Sequence, residues 1–85
     1  MKHYEFKPSN MVCTRNISFD LDDDNKIHNL QFVGGCNGNL KAIAKLCEGK
    51  DASEISTLLK GNICGMRSTS CADQLSIALT DAINK

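Results

Sequence analysis

An 85-residue chain whose ten basic and ten acidic side chains cancel has neither the cationic excess of a nucleic-acid binder nor the polybasic patch of a membrane-surface module. Hydrophobic residues make up 41%, yet there is no Trp, one Tyr and three Phe. The core must be aliphatic, and a single domain over residues 1–85 lies near the lower end of what such a core stabilises unaided.

In chain order, Met1 to Met11 are weakly patterned around Pro8 and form an extended lead-in, with room for an added N-terminal strand. No apolar run approaches the roughly 20 residues that cross a bilayer, and "MKHYEFKPSN" has no signal-peptide core, so a cytoplasmic protein is expected. From Cys13, apolar Ile17, Phe19 and Leu21 alternate with polar Asn16, Ser18 and Asp20, the period of a half-buried strand. Asp22 to Asn25 read as a turn, and Lys26 to Val33 as the returning strand, with Leu30, Phe32 and His28 on one face. Closing the hairpin symmetrically about Asp23 and Asp24 sets Ile17 opposite Leu30, Phe19 opposite His28, and Cys13 beside Gly34. Cys13 and Cys36 are thereby expected to be neighbours.

After "GGCNGN", Leu40, Ile43, Ala44 and Cys47 follow at helical spacing, and Gly49 ends that helix. Asp51 and Glu54 resemble a capping pair opening a second helix, with an apolar stripe of Ile55, Leu58 and Leu59 and a stop at Gly61. "NICGMRST" is a loop. Thr69 or Ser70 caps a last helix that has Asp73 in its first turn and Cys71, Leu75, Ala78, Leu79, Ala82 and Ile83 on its buried face. The expected fold class is α+β, an antiparallel β-hairpin packed against three helices.

Five cysteines are a high load for this length, and an odd number cannot all pair within one chain. In a reducing compartment they rest as thiols, so metal or redox chemistry is a better account than a disulfide framework. Cys47 is in phase with Leu40 and Ile43 and reads as a small core residue. The other four stand at structural transitions: Cys13 at a strand start, Cys36 between strand and helix, Cys64 in a loop, Cys71 at a helix start. A divalent cation offsets the repulsion among thiolates and ties distant segments together, so its binding free energy becomes folding free energy. Cys36 and Cys71 lie near helix N-termini, where the dipole and free backbone N–H groups favour negative charge. Spacing adds little, because no CxxC knuckle occurs.

The run "FVGGCNGNLKAIAKLCEGK" followed by "ICGMRSTSCADQL" resembles the small four-cysteine proteins of the TSCPD-domain family. Relatives of that family form a C-terminal segment of some adenosylcobalamin-dependent ribonucleotide reductases. The resemblance spans Cys13 to Ile83 and implies that the family's four cysteines are Cys13, Cys36, Cys64 and Cys71, with Cys47 extra. The proline of the name-giving motif is Ala72 here, and both residues suit a first helical turn. A looser similarity links Cys13, Cys36 and Cys71 to the three cysteines of NifU-type iron–sulfur scaffold proteins. Cys64 has no counterpart there, and the scaffold's acidic and histidine site residues are not evident at matching places, since Arg15 and Ser70 occupy the nearest positions.

Other features have plainer readings. His28 is expected to be partly buried and hydrogen-bonded on the inner side of the hairpin next to Phe19, and His3 to be inert. "DLDDD" lacks the Gly and terminal Glu of an EF-hand loop. "GGCNGN" lacks the Lys and Ser/Thr of a P-loop, and no third residue orients a cysteine–His28 pair for thiol catalysis.

Three function classes remain. The first is a metal-binding accessory module holding zinc or an iron–sulfur cluster on four thiolates and serving a protein partner, which the resemblance links to ribonucleotide reductase. The second is a thiol–disulfide accessory using Cys64 and Cys71. The third is a metal-free interaction domain.

Overall fold

A computed structural model describes residues 1–9, 12, 14–34, 37–62 and 69–84. The chain runs through β1 (Lys2–Phe6), β2 (Thr14–Leu21), β3 (Ile27–Gly34), α1 (Asn37–Cys47), α2 (Ala52–Leu59) and α3 (Cys71–Ile83). The α+β class and the three helices match the sequence pattern. The lead-in supplies the edge strand of an antiparallel sheet ordered β1-β2-β3. Tyr4 of β1 lies opposite Phe19 of β2 and stacks on it, with ring centroids 5.6 Å apart, which gives this short polar strand its apolar hold.

The alternation in β2 places Ile17, Phe19 and Leu21 in the core, while Asn16, Ser18 and Asp20 are half-buried on the other face. Symmetric closure of the hairpin is corrected by the turn. Asp22 O accepts from Asn25 N–H, Asp22 Oδ1 accepts from the N–H groups of Asp24 and Lys26, and Asn25 takes φ 59°. With Asn25 left-handed, the ladder starts at Leu21↔Ile27 and Asp20↔His28, one residue out from the symmetric pairing. A bulge follows, because Ser18↔Gln31 spans three residues of β3 against two of β2. Asn29, at φ 56°, is the inserted residue, and its side chain donates to Asp20 Oδ2 at 2.9 Å. Ile17 therefore faces Phe32 rather than Leu30, and His28 pairs with Asp20 rather than Phe19.

A second bulge has the opposite sense. Thr14↔Gly34 and Asn16↔Val33 leave Arg15 as an extra residue on β2, so the two irregularities nearly cancel at the far end of the hairpin.

The helices cover the inner face of the sheet. Leu75, Ala78, Leu79 and Ala82 of α3, Cys47 of α1 and Ala52 of α2 close over Ile17, Phe19, Leu21, Ile27 and Leu30. Asp51 caps α2, its Oδ2 accepting from Glu54 N–H at 3.0 Å. The expected α2 stripe is realised at two of its three residues, since Ile55 and Leu59 pack on the core while Leu58 is 76% exposed. The buried line of α2 instead runs through Ala52 and Ser56. Ser56 Oγ donates to Ser76 O at 3.1 Å, and Ser76 Oγ donates back to Ser56 O at 2.8 Å, a small-residue seam that lets α2 and α3 approach closely.

The link between α1 and α2 is stitched to the hairpin turn. Gly49, at φ 75°, donates to Ile27 O, Ile27 N–H donates to Lys50 O, and Ala52 N–H donates to Asn25 O. Among the described residues no helix is long and apolar enough to cross a membrane.

Candidate functional site

The first turn of α3 gathers polar groups that reach into three other segments. Ser70 is extended at the N-cap, its Oγ accepting from Asp73 N–H at 3.0 Å and donating to Asn62 O. Asp73 Oδ1 accepts from Gly61 N–H at 2.7 Å, and its Oδ2 accepts from Thr69 Oγ1 at 2.6 Å. Thr69 Oγ1 in turn accepts from Gln74 Nε2, while Gln74 Oε1 accepts from Ser9 N–H, each at 3.0 Å. Thr69, Ser70 and Gln74 are all buried, so these bonds satisfy groups that would otherwise be costly to bury. The chain entering the 63–68 segment and the chain entering β2 are both fastened to the turn that Cys71 opens.

Cys71 is half-buried and a free thiol at the first position of α3. Cys13, Cys36 and Cys64, the other three cysteines predicted to form the site, lie outside the described residues. Their flanks are described. Thr14 and Gly34, which adjoin Cys13 and Gly35-Cys36 in sequence, are cross-strand partners at one end of the sheet. Asn62 precedes the segment holding Cys64 and accepts from Ser70, the residue before Cys71. Among the described residues, no three His, Cys, Asp or Glu side chains are grouped to hold a metal.

Cys47 is 3% exposed within the core, and burial pushes its thiol pKa up, which keeps the sulfur protonated and a poor ligand. Sequence reasoning missed Thr14. Its hydroxyl is buried and has no hydrogen-bond partner among the described residues. Its place beside Cys13 was the available signal.

Comparison with protein-family models matches residues 2–83 to the TSCPD domain. The chain belongs to the TSCPD-domain family. No curated protein and no solved structure matches it, and the looser likeness to iron–sulfur scaffolds gains no support. In this TSCPD domain the name-giving stretch Thr69 to Asp73 is the polar turn described above, where Thr69, Ser70 and Asp73 do the fastening. Ala72, in place of the family's proline, is buried one position after Cys71.

The outer face of the TSCPD sheet carries a separate network. His28 shares that face with Asp20, not the inner face with Phe19, because the turn shifts the register and a one-residue slip exchanges faces. Its Nδ1 donates to Glu48 Oε2 at 2.6 Å and its Nε2 to Asp22 Oδ2 at 2.8 Å, an arrangement that suits the imidazolium, which has two N–H donors. His3 is engaged too, by Asp20 at 2.6 Å and Glu5 at 3.1 Å.

The bonds from Asp22 and Glu48 raise the His28 pKa above its ordinary 6.5. The Lys26 N–H, with His28, lowers that of Asp22, and the Asn29 N–H, with His28, lowers that of Glu48. The histidine's contribution to stability is therefore complete below pH 6.5 and fades as pH rises through its raised value. The carboxylates' contribution fades on acidification, as pH falls through their lowered values. We expect the melting difference between wild type and His28→Gln to be larger at about pH 6 than at about pH 8.5. Thermal melts of both proteins at the two pH values check this, and equal differences would contradict it.

Proposed function

We propose that this TSCPD domain is a metal-binding accessory module in which the thiolates of Cys13, Cys36, Cys64 and Cys71 hold one zinc ion or iron–sulfur cluster. The observation that carries this reading is the fastening of their flanks. Ser9, on the approach to Cys13, and Gly61 and Asn62, on the approach to Cys64, bond to the first turn of α3, where Cys71 lies. The approach to Cys36 pairs with Thr14. Bound zinc would supply structural cross-linking, and a cluster would supply electron or cluster transfer. The chain's own contribution would be to tie the approaches to Cys13 and Cys64 to the first turn of α3.

The family's link to ribonucleotide reductases makes such an enzyme the first protein partner to test. Protein purified without oxygen is expected to contain either about one zinc per chain, or iron and acid-labile sulfide in equal amounts with visible absorption. Elemental analysis and an absorption spectrum read this directly. Protein that is metal-free and stays so after reconstitution would sink the proposal. A reversible loss of two hydrogens in such protein would favour the disulfide reading on Cys64 and Cys71.

A further inference from the structure

We infer that the open edge of β1 is a docking strand for a second copy of this chain, the two β1 strands pairing antiparallel about a two-fold axis at Tyr4 so that His3 of each faces Glu5 of the other. The pairing is independent of the metal site.

The two edges of the sheet differ. Along β3, Ile27 N–H donates to Lys50 O, Ile27 O accepts from Gly49 N–H, and Asn29 N–H donates to Glu48 Oε1 at 3.0 Å, so the α1–α2 connection covers the first part of that edge. The bulge at Asn29 then bends the strand. β1 has neither protection. It pairs with β2 from Lys2↔Leu21 to Phe6↔Ile17 without an irregularity, and among the described residues no segment other than β2 pairs with it. Pro8 lies beyond the strand and does not interrupt it. A regular edge of this kind presents a row of backbone N–H and C=O groups ready for another strand.

The side chains select the occupant and the register. A two-fold axis perpendicular to the sheet sets one residue opposite its own copy and keeps the helices of both copies on one side. Centred on His3 or on Glu5, the pairing would put like charges opposite each other and overlap only part of each strand. Centred on Tyr4, it overlaps the whole of β1, sets His3 opposite Glu5 at two symmetric positions on the outer face, and stands Tyr4 beside Tyr4 and Lys2 beside Phe6 on the inner face. His3 is the imidazolium this needs. Its Nδ1 and Nε2 both donate to carboxylates, Asp20 at 2.6 Å and Glu5 at 3.1 Å, and these bonds raise its pKa above 6.5. His3 and Glu5 are both exposed, so a second copy can reach them. A pairing of two short strands is a small interface, and the dimer is accordingly reversible and concentration-dependent.

Sedimentation of the full chain in reducing buffer, which prevents intermolecular disulfides, reads the mass as concentration rises. Wild type should pass from monomer to dimer below about 1 mM. Glu5→Lys sets a lysine opposite His3, and His3→Glu sets two glutamates opposite each other. Each should weaken the dimer roughly 10-fold or more, because symmetry counts each change twice. Both variants should keep the far-ultraviolet circular dichroism of wild type, since neither position is in the core. Mixed in equal amounts they should dimerise again, as lysine then meets glutamate and His3 meets Glu5 across the new pair. Wild type that stays monomeric would overturn the inference and leave the β1 edge to a strand of another protein. A dimer unmoved by either variant would overturn it too, because the copies would then meet elsewhere, and so would a mixture no tighter than its components.

Discussion

Cys71→Ser is expected to leave the protein with little or no bound metal, whereas Cys47→Ala retains a full complement. Serine's hydroxyl stays protonated near neutral pH and is a poor substitute for a thiolate at a soft or borderline metal. Replacing one of four ligands also leaves the other three thiolates to repel one another without full compensation. The stability consequence follows from mass action: an ion present at 1,000 times its dissociation constant adds about 4 kcal/mol to the folded state. A strong chelator should therefore lower the melting temperature of wild type and barely move that of Cys71→Ser. Cys47→Ala loses only a small buried side chain from the core, a cost of about 1 kcal/mol, and its melting temperature should still fall on chelation. Metal analysis together with melts with and without chelator makes the comparison. Loss of metal from Cys47→Ala alone would reverse the assignment of ligands.

The second large effect belongs to the core. Phe19 is 1% exposed, stacks on Tyr4 and lies among the buried side chains of β2 and α3. Phe19→Ala should cost about 3–5 kcal/mol, combining lost transfer free energy with the cavity left behind. For a domain whose total stability is about 5–15 kcal/mol, that is enough to bring unfolding close to ordinary temperatures. Leu58→Ala provides the contrast. Its side chain is exposed, so a change within about 0.5 kcal/mol is expected. Urea titrations of the two variants, with metal loading held equal, measure both. A large loss from Leu58→Ala would show that α2 presents a different face to the core.

The contrast between Phe19 and Leu58 shows which parts of the fold the sequence makes legible. Alternation in β2 placed Ile17, Phe19 and Leu21 correctly because one face of that strand meets a continuous apolar layer. The spacing of Ile55, Leu58 and Leu59 misled at Leu58 because α2 is held to α3 partly by Ser56 and Ser76, and reciprocal serine bonds leave no hydrophobic period to read. The pairing register was out of reach for another reason. It depends on Asn25 and Asn29 adopting positive φ, and an asparagine that may do so looks no different in sequence from one that does not. The turn at Asn25 decided where His28 went, and the bulge at Asn29 where Leu30 and Phe32 went.

At the candidate site, Ser70 and Asp73 carried a capping signature, so the start of α3 at Cys71 was readable. Their further bonds to Asn62 and Gly61 were not, since they join residues eight to twelve positions apart in sequence. Family membership added the order of the motifs, which spacing between single cysteines did not supply.

The stitch formed by Asn25, Ile27, Gly49, Lys50 and Ala52 fixes the length of the α1–α2 connection. Each donor there is matched to an acceptor across the seam between the connection and the hairpin, so an inserted residue would have to break at least one pair before it could be accommodated. The connection consequently acts as a hem rather than a hinge, and reshaping of this fold by added length has to happen elsewhere.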